Sequence, residues 1–219
     1  MSEPAPLFDL LLITPDRAPE PILEQARRAL NAAGEQPGRV ALQLRSKQLP
    51  ARERAQLGAA LCALCREQRA TFLVNGDLAL ARALVADGVQ LSESGPSLAS
   101  ARASLPTGVV GVSRHDAAGV RAAAGASFVL LGPVFAVPGK GPALGLQGFA
   151  ALAELSPVPV VALGGIDAHN AGAVLAAGAR ALAVMREVFD ATDPAQAVAL
   201  LLRAANARAA LLAAREPAS

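Results

Sequence analysis

Val158-Pro159-Val160-Val161-Ala162-Leu163-Gly164-Gly165 is an apolar run closed by two glycines. A strand with one wet face alternates apolar and polar residues. A run with no polar member needs cover on both faces, which is the situation of a parallel strand between helices. Phe128-Val129-Leu130-Leu131 reads the same way. Working outward, β-rich apolar runs recur near 8–13, 39–45, 70–75, 87–91, 108–113, 127–131, 158–163 and 181–185. Ala/Leu/Arg-rich helical patterns follow them near 19–33, 51–68, 78–85, 97–103, 116–124, 147–154, 168–177 and 193–213. Eight strand–helix units within 219 residues predict an α/β fold, a single (β/α)8 TIM barrel. A doubly wound open sheet would announce itself with GxGxxG after the first strand, and Ile13-Thr14-Pro15-Asp16 stands there instead. Gly125-Ala126, Gly178-Ala179 and Asp87-Gly88 fall between helix and strand, where a helix C-terminus favours glycine. One domain is expected over 7–213, with 1–6 and 214–219 as loose termini.

Composition narrows the function. Hydrophobic residues make up 53% and charged residues 17%, enough to bury a sizeable core. Net charge is +2 and aromatics are 3%, so little is available to stack on bases, and nucleic acid is not expected as a partner. Phe8 to Ile13 is interrupted by Asp9 and too short for a signal segment or a membrane span; a cytoplasmic protein is expected, with no membrane partner. Cys62 and Cys65 form a lone CxxC in a helical stretch, with His115 and His169 far off in sequence. They read as buried helix-face thiols rather than as a redox or zinc motif.

In a barrel, functional groups sit at the C-terminal ends of the strands. Along Ala41-Leu42-Gln43-Leu44-Arg45-Ser46-Lys47, side-chain alternation puts Leu42 and Leu44 on one face and Gln43, Arg45 and Lys47 on the other. Fixed cations on a covered face call for an anion, and a Lys/Arg/Gln comb suits phosphate or pyrophosphate. The alternative is an edge strand with one solvated face. The other ends carry Asn75-Gly76-Asp77, Gln90-Leu91-Ser92-Glu93, Ser113-Arg114-His115, a loop with Lys140, Gly164-Gly165-Ile166-Asp167 and Met185-Arg186-Glu187. The Gly164-Gly165 pair after strand 7 allows a ligand close to the backbone, and Asp167 can cap the next helix. Tight strand–helix turns also use glycine for packing alone.

Several motifs, in order and spacing, carry a resemblance: Gln43-Leu44-Arg45-Ser46-Lys47, Asn75, Ala86-Asp87-Gly88-Val89-Gln90-Leu91, Gly111-Val112-Ser113-Arg114-His115, Gly132-Pro133-Val134-Phe135 and Val160 to Ile166. Over roughly residues 8–205 the chain resembles the thiamine phosphate synthase/TenI family, whose fold is a TIM barrel. The synthase joins a pyrimidine pyrophosphate to a thiazole phosphate with the help of Mg²⁺. The resemblance implies that Gln43, Arg45, Lys47 and Asn75 hold the pyrophosphate and pyrimidine side. It adds Ser113 and Lys140 on the pyrophosphate, and it gives the thiazole phosphate to Gly164, Gly165 and the segment Met185-Arg186.

This chain departs from the synthase pattern at the metal. The two magnesium Asp positions are Gly76 and Gly95, and glycine has no side-chain oxygen for a hard cation. Asp77 and Glu93 are the displaced candidates. Val137 and Gly139 replace the threonines before Lys140, and Arg186 replaces a Ser. Asn75-Gly76 and Val89-Gln90-Leu91 resemble the TenI branch, which includes a thiazole tautomerase, but Pro133 stands where the tautomerase has His. The expected reading is therefore a TenI-like enzyme on a phosphorylated thiazole precursor, with Lys47, Lys140 or His115 as proton carrier. The alternatives are a synthase with a relocated metal site, and a non-catalytic precursor-binding barrel. Mg²⁺ is expected only if synthase activity is retained, and no other cofactor is expected. The expected partner is a phosphorylated small molecule, and the family resemblance adds a homo-oligomer as a further partner. Phe135 is the nearest ring for stacking on a pyrimidine.

Overall fold

The computed structural model describes residues 8–33 and 38–214. The expected loose termini lie outside these residues, apart from Ala214. Eight strands close into a parallel barrel in sequence order: β1 Leu10–Ile13, β2 Val40–Leu44, β3 Thr71–Asn75, β4 Gly88–Leu91, β5 Val109–Arg114, β6 Phe128–Leu131, β7 Val160–Leu163 and β8 Ala181–Val184. β1 pairs with both β2 and β8, which removes any sheet edge. The solvated-edge reading of residues 41–47 therefore falls.

Alternation along each strand sorts residues into two cores. Leu42 and Leu44 pack outward with the helices. Leu11, Ile13, Ala41, Leu73, Phe128, Leu130, Val161 and Ala183 fill the barrel itself. Phe8 meets Phe128 edge to face at 5.3 Å, closing the barrel interior towards the N-terminal ends of the strands.

The surrounding helices follow from their own patterns. In α1 (Pro19–Asn31) Ile22, Ala26, Ala29 and Leu30 recur at helical spacing and are buried, with proline in the first turn. Full burial of Ile22 and Leu30 contributes roughly 1.5–3 kcal/mol each. α2 (Ala51–Glu67) buries Cys62 and Cys65, and loss of solvent pushes both thiols up, Cys65 far above the usual thiol range. They are inert core groups, as the sequence suggested. The remaining helices are α3 (Leu78–Ala83), α4 (Leu98–Ser104), α5 (Ala117–Arg121), α6 (Gly145–Ala153), α7 (Ala171–Ala176), α8 (Arg186–Phe189) and α9 (Pro194–Ala213). Among the described residues no helix is long and apolar enough to cross a membrane.

Three local readings change. α7 begins at Ala171 rather than 168, because Asp167 Oδ1 accepts the N–H groups of His169 and Asn170 in a preceding turn. The four-residue α8 gave no periodic signal. Before β4 the left-handed residue is Val85 (φ 52°), whereas Gly88 already belongs to the strand, where a Cβ would lie 1.9 Å from Val109 O.

Candidate active site

A cavity of about 1230 Å³ opens at the C-terminal ends of the strands. Gln43, Arg45, Lys47, Asn75, Glu93, Ser113, His115, Lys140, Gly164, Gly165, Met185 and Arg186 all line it. Depth separates them. Gln43 and Gln90, also in the wall, are each 1% exposed and form a floor of amides. Lys47, Glu93, His115, Lys140 and Arg186 stand on the exposed rim.

Residues after β1 set the comb. β2 ends at Leu44, yet alternation continues past it: Ser46 is buried while Arg45 and Lys47 reach the cavity. The Arg45 N–H donates to Oγ1 of fully buried Thr14 at 2.8 Å. Asp16 Oδ1 accepts the N–H groups of Lys47 and Gln48, and Asp16 Oδ2 lies 3.5 Å from the Arg45 guanidinium. Thr14 and Asp16 are thus scaffold residues that sequence reading passed over. Their signal was position: Ile13 pairs with Gln43, so the segment after β1 runs beside the comb. Below, Gln43 Nε2 donates to Asn75 Oδ1 at 3.0 Å, which leaves Gln43 Oε1 buried without a partner.

On the next wall, Gln90 Nε2 lies 3.1 Å from Ser113 Oγ. His115 Nδ1 lies 2.7 Å from Gly132 O. A carbonyl only accepts, so Nδ1 carries a proton and Nε2 is the ring nitrogen left for other partners.

The far wall is built differently. Gly164 (φ 106°) and Gly165 (φ 64°) need glycine for backbone reasons. A Cβ on Gly164 would sit 2.6 Å from Pro133 Cα, and one on Gly165 2.7 Å from Phe135 Cβ. The pair is therefore dictated by packing against the loop after β6, while also lining the cavity. Phe135 packs against the outer core, and among the described residues no phenylalanine lines the cavity, so it is not a stacking platform.

The magnesium expectation meets an unsuitable donor set. Asp77 does not line the cavity. Its Oδ1 caps α3 by accepting the Leu80 N–H at 2.9 Å, and its Oδ2 takes Arg54 at 3.2 Å. That corrects Asp77 as a displaced metal ligand: it is a helix cap and an ion-pair partner. Beside Gly76 and Gly95, the only carboxylate of the candidate pair left at this wall is exposed Glu93. Among the described residues no cluster of three or more His, Cys, Asp or Glu could hold a metal ion. The residues at the expected magnesium positions do not supply two carboxylates to the cavity.

Barrel and cavity together define a (β/α)8 TIM barrel with a large cavity at its C-terminal rim. Residues 10–188 match the family described as thiamine monophosphate synthase. A thiamine-phosphate synthase from Moorella thermoacetica is 39% identical over 200 residues, covering 88% of this chain and 93% of that protein. One from Aromatoleum aromaticum is 41% identical over 196 residues, covering 86% and 91%. The structure of thiamine phosphate pyrophosphorylase from Pyrococcus furiosus superposes with a TM-score of 0.80 at 32% identity, covering 92% and 96%. The chain belongs to the thiamine monophosphate synthase family.

Proposed function

We propose that this chain joins a pyrimidine pyrophosphate to a thiazole phosphate, forming thiamine phosphate. The observation that carries the proposal is convergence: the six residues that the family resemblance puts on the pyrimidine and pyrophosphate, Gln43, Arg45, Lys47, Asn75, Ser113 and Lys140, line one cavity. The identity to proteins named thiamine-phosphate synthase supports the synthase over the TenI-like reading.

Each residue has work that its geometry allows. With Asn75 Oδ1 accepting from Gln43, the Asn75 amide hydrogens remain as donors towards the cavity. A ring nitrogen of an aminopyrimidine can accept from them. In the reaction the carbon–oxygen bond to pyrophosphate breaks, the leaving group keeps the electron pair, and the thiazole nitrogen supplies the pair for the new carbon–nitrogen bond. Charge grows on the departing oxygens, where Arg45, Lys47 and Lys140 stabilise it electrostatically. No step is routed through a metal, because the expected magnesium positions do not supply two carboxylates to the cavity.

The test is thiamine phosphate formation from the two substrates by the purified protein, with and without Mg²⁺. Product is expected. Its absence from a folded protein would sink the proposal. A second reading, the TenI-like isomerisation, is favoured by the commitment of Asp77 to Arg54 and the α3 cap. It would use His115 Nε2, Lys47 or Lys140 to move a proton. The non-catalytic barrel remains if neither product forms. A cytoplasmic setting belongs to the same proposal, supported by two free buried thiols.

A further inference from the structure

We infer that Gln90 is a positioning residue, whose amide turns the Ser113 hydroxyl into a hydrogen-bond donor for the anionic group held in the cavity. The inference rests on the reading that this cavity takes a phosphate or pyrophosphate.

The amide orientation is fixed by chemistry. The Gln90 side-chain nitrogen lies 3.3 Å from Leu91 O as well as 3.1 Å from Ser113 Oγ. A backbone carbonyl can only accept, so the atom facing it is the NH₂ group. That group can only donate. Ser113 Oγ must therefore accept from Gln90, and its own proton points away from the amide. Ser113 lines the cavity, where an anion is the natural acceptor.

The neighbours are cut to fit this arrangement. Gly111 lies two residues before Ser113, on the same face of β5. A Cβ there would come within 2.1 Å of Gln90 Oε1 and 2.3 Å of Phe128 Cζ. The missing side chain lets the amide lie across the strand. The arrangement is also unfavourable in itself, because Gln90 Oε1 is buried without a partner. An apolar residue of similar size would fill this place without that penalty. A buried amide held at a cost to stability points to use.

The experiment is a double-mutant cycle read by calorimetry with inorganic pyrophosphate as the probe. Gln90→Glu keeps the shape but replaces the donor with an acceptor, so Ser113 would give its proton to Glu instead of to the anion. It is expected to weaken binding about tenfold, as Ser113→Ala does. Combined with Ser113→Ala it should weaken binding no further. Gln90→His, which restores an N–H donor at a similar reach, should stay within about threefold of wild type. An equal loss from Gln90→Glu in the Ser113→Ala background would mean simple charge repulsion and overturn the inference. Should Gln90→Glu not fold, the same cycle is run with Gln90→Met, whose smaller loss must likewise vanish in the Ser113→Ala background; a loss that persists there overturns the inference. Wild-type binding that Ser113→Ala leaves intact defeats the inference alone. No binding by wild type removes the phosphate reading and the inference with it.

Discussion

The two halves of the cavity wall are built on opposite plans. From β2 to β5 the wall is made of side chains: Gln43 held by Asn75, Arg45 and Lys47 held through Thr14 and Asp16, and Ser113 held by Gln90. From β6 to β8 much of it is backbone, with Gly164 and Gly165 pressed against Pro133 and Phe135 and with Arg186 at the start of a four-residue helix. A wall of side chains can be altered one group at a time. A wall of backbone answers to packing before it answers to a ligand. Substitutions on the first half should therefore change affinity and spare the fold, and substitutions at the two glycines of the second should do the reverse.

The strongest challenge to that contrast is Gly164→Ala. Its positive φ and the close approach to Pro133 should lower stability by about 3 kcal/mol, read from urea unfolding. A stable variant with weakened ligand binding would break the comparison. Arg45→Ala comes next. Loss of a charge-assisted contact should reduce pyrophosphate affinity by about 2 kcal/mol in calorimetry, with stability changed by less than about 1 kcal/mol. Unchanged affinity would take the comb out of the site. Asp77→Ala should remove a cap worth about 1 kcal/mol in thermal unfolding and leave any Mg²⁺ dependence of turnover untouched. A lost metal response would reinstate Asp77 as a ligand. The smallest effect is expected for Arg186→Ser, about 0.5 kcal/mol of lost thiazole phosphate affinity, since this side chain is exposed. A gain would show instead that Arg186 obstructs the phosphate.

The same contrast explains what could be read before any coordinates. Uninterrupted runs such as Phe128–Leu131 and Val160–Leu163 have one physical solution, burial on both faces, and eight strands in alternation with helices specify a barrel. Counting every second residue from Gln43 then found Arg45 and Lys47, because alternation is a property of covalent geometry. The support behind them was harder to see, since Thr14 and Asp16 act through a neighbouring strand rather than through a local pattern. Asp77 could have been caught: it stands immediately before a helical pattern, the place of an N-cap. The double use of Gly164-Gly165 was not separable, because glycine looks the same whether it makes room for a ligand or for Pro133. Gln90 was visible as a polar residue in an apolar strand, but its orientation needed Leu91 O and the bare Cα of Gly111.

Phe8 and Phe128, meeting edge to face within the inner core, have a consequence for traffic. They fill the barrel at the N-terminal ends of its strands, while the cavity opens at the C-terminal ends. Two molecules sharing such a space form a queue: the one that lies on the amides of Gln43 and Asn75 must go in first, and the one nearer the exposed Arg186 follows. In steady-state kinetics that queue would appear as an ordered pattern of inhibition, with the deeper ligand able to bind alone and the outer one trapping it behind the rim.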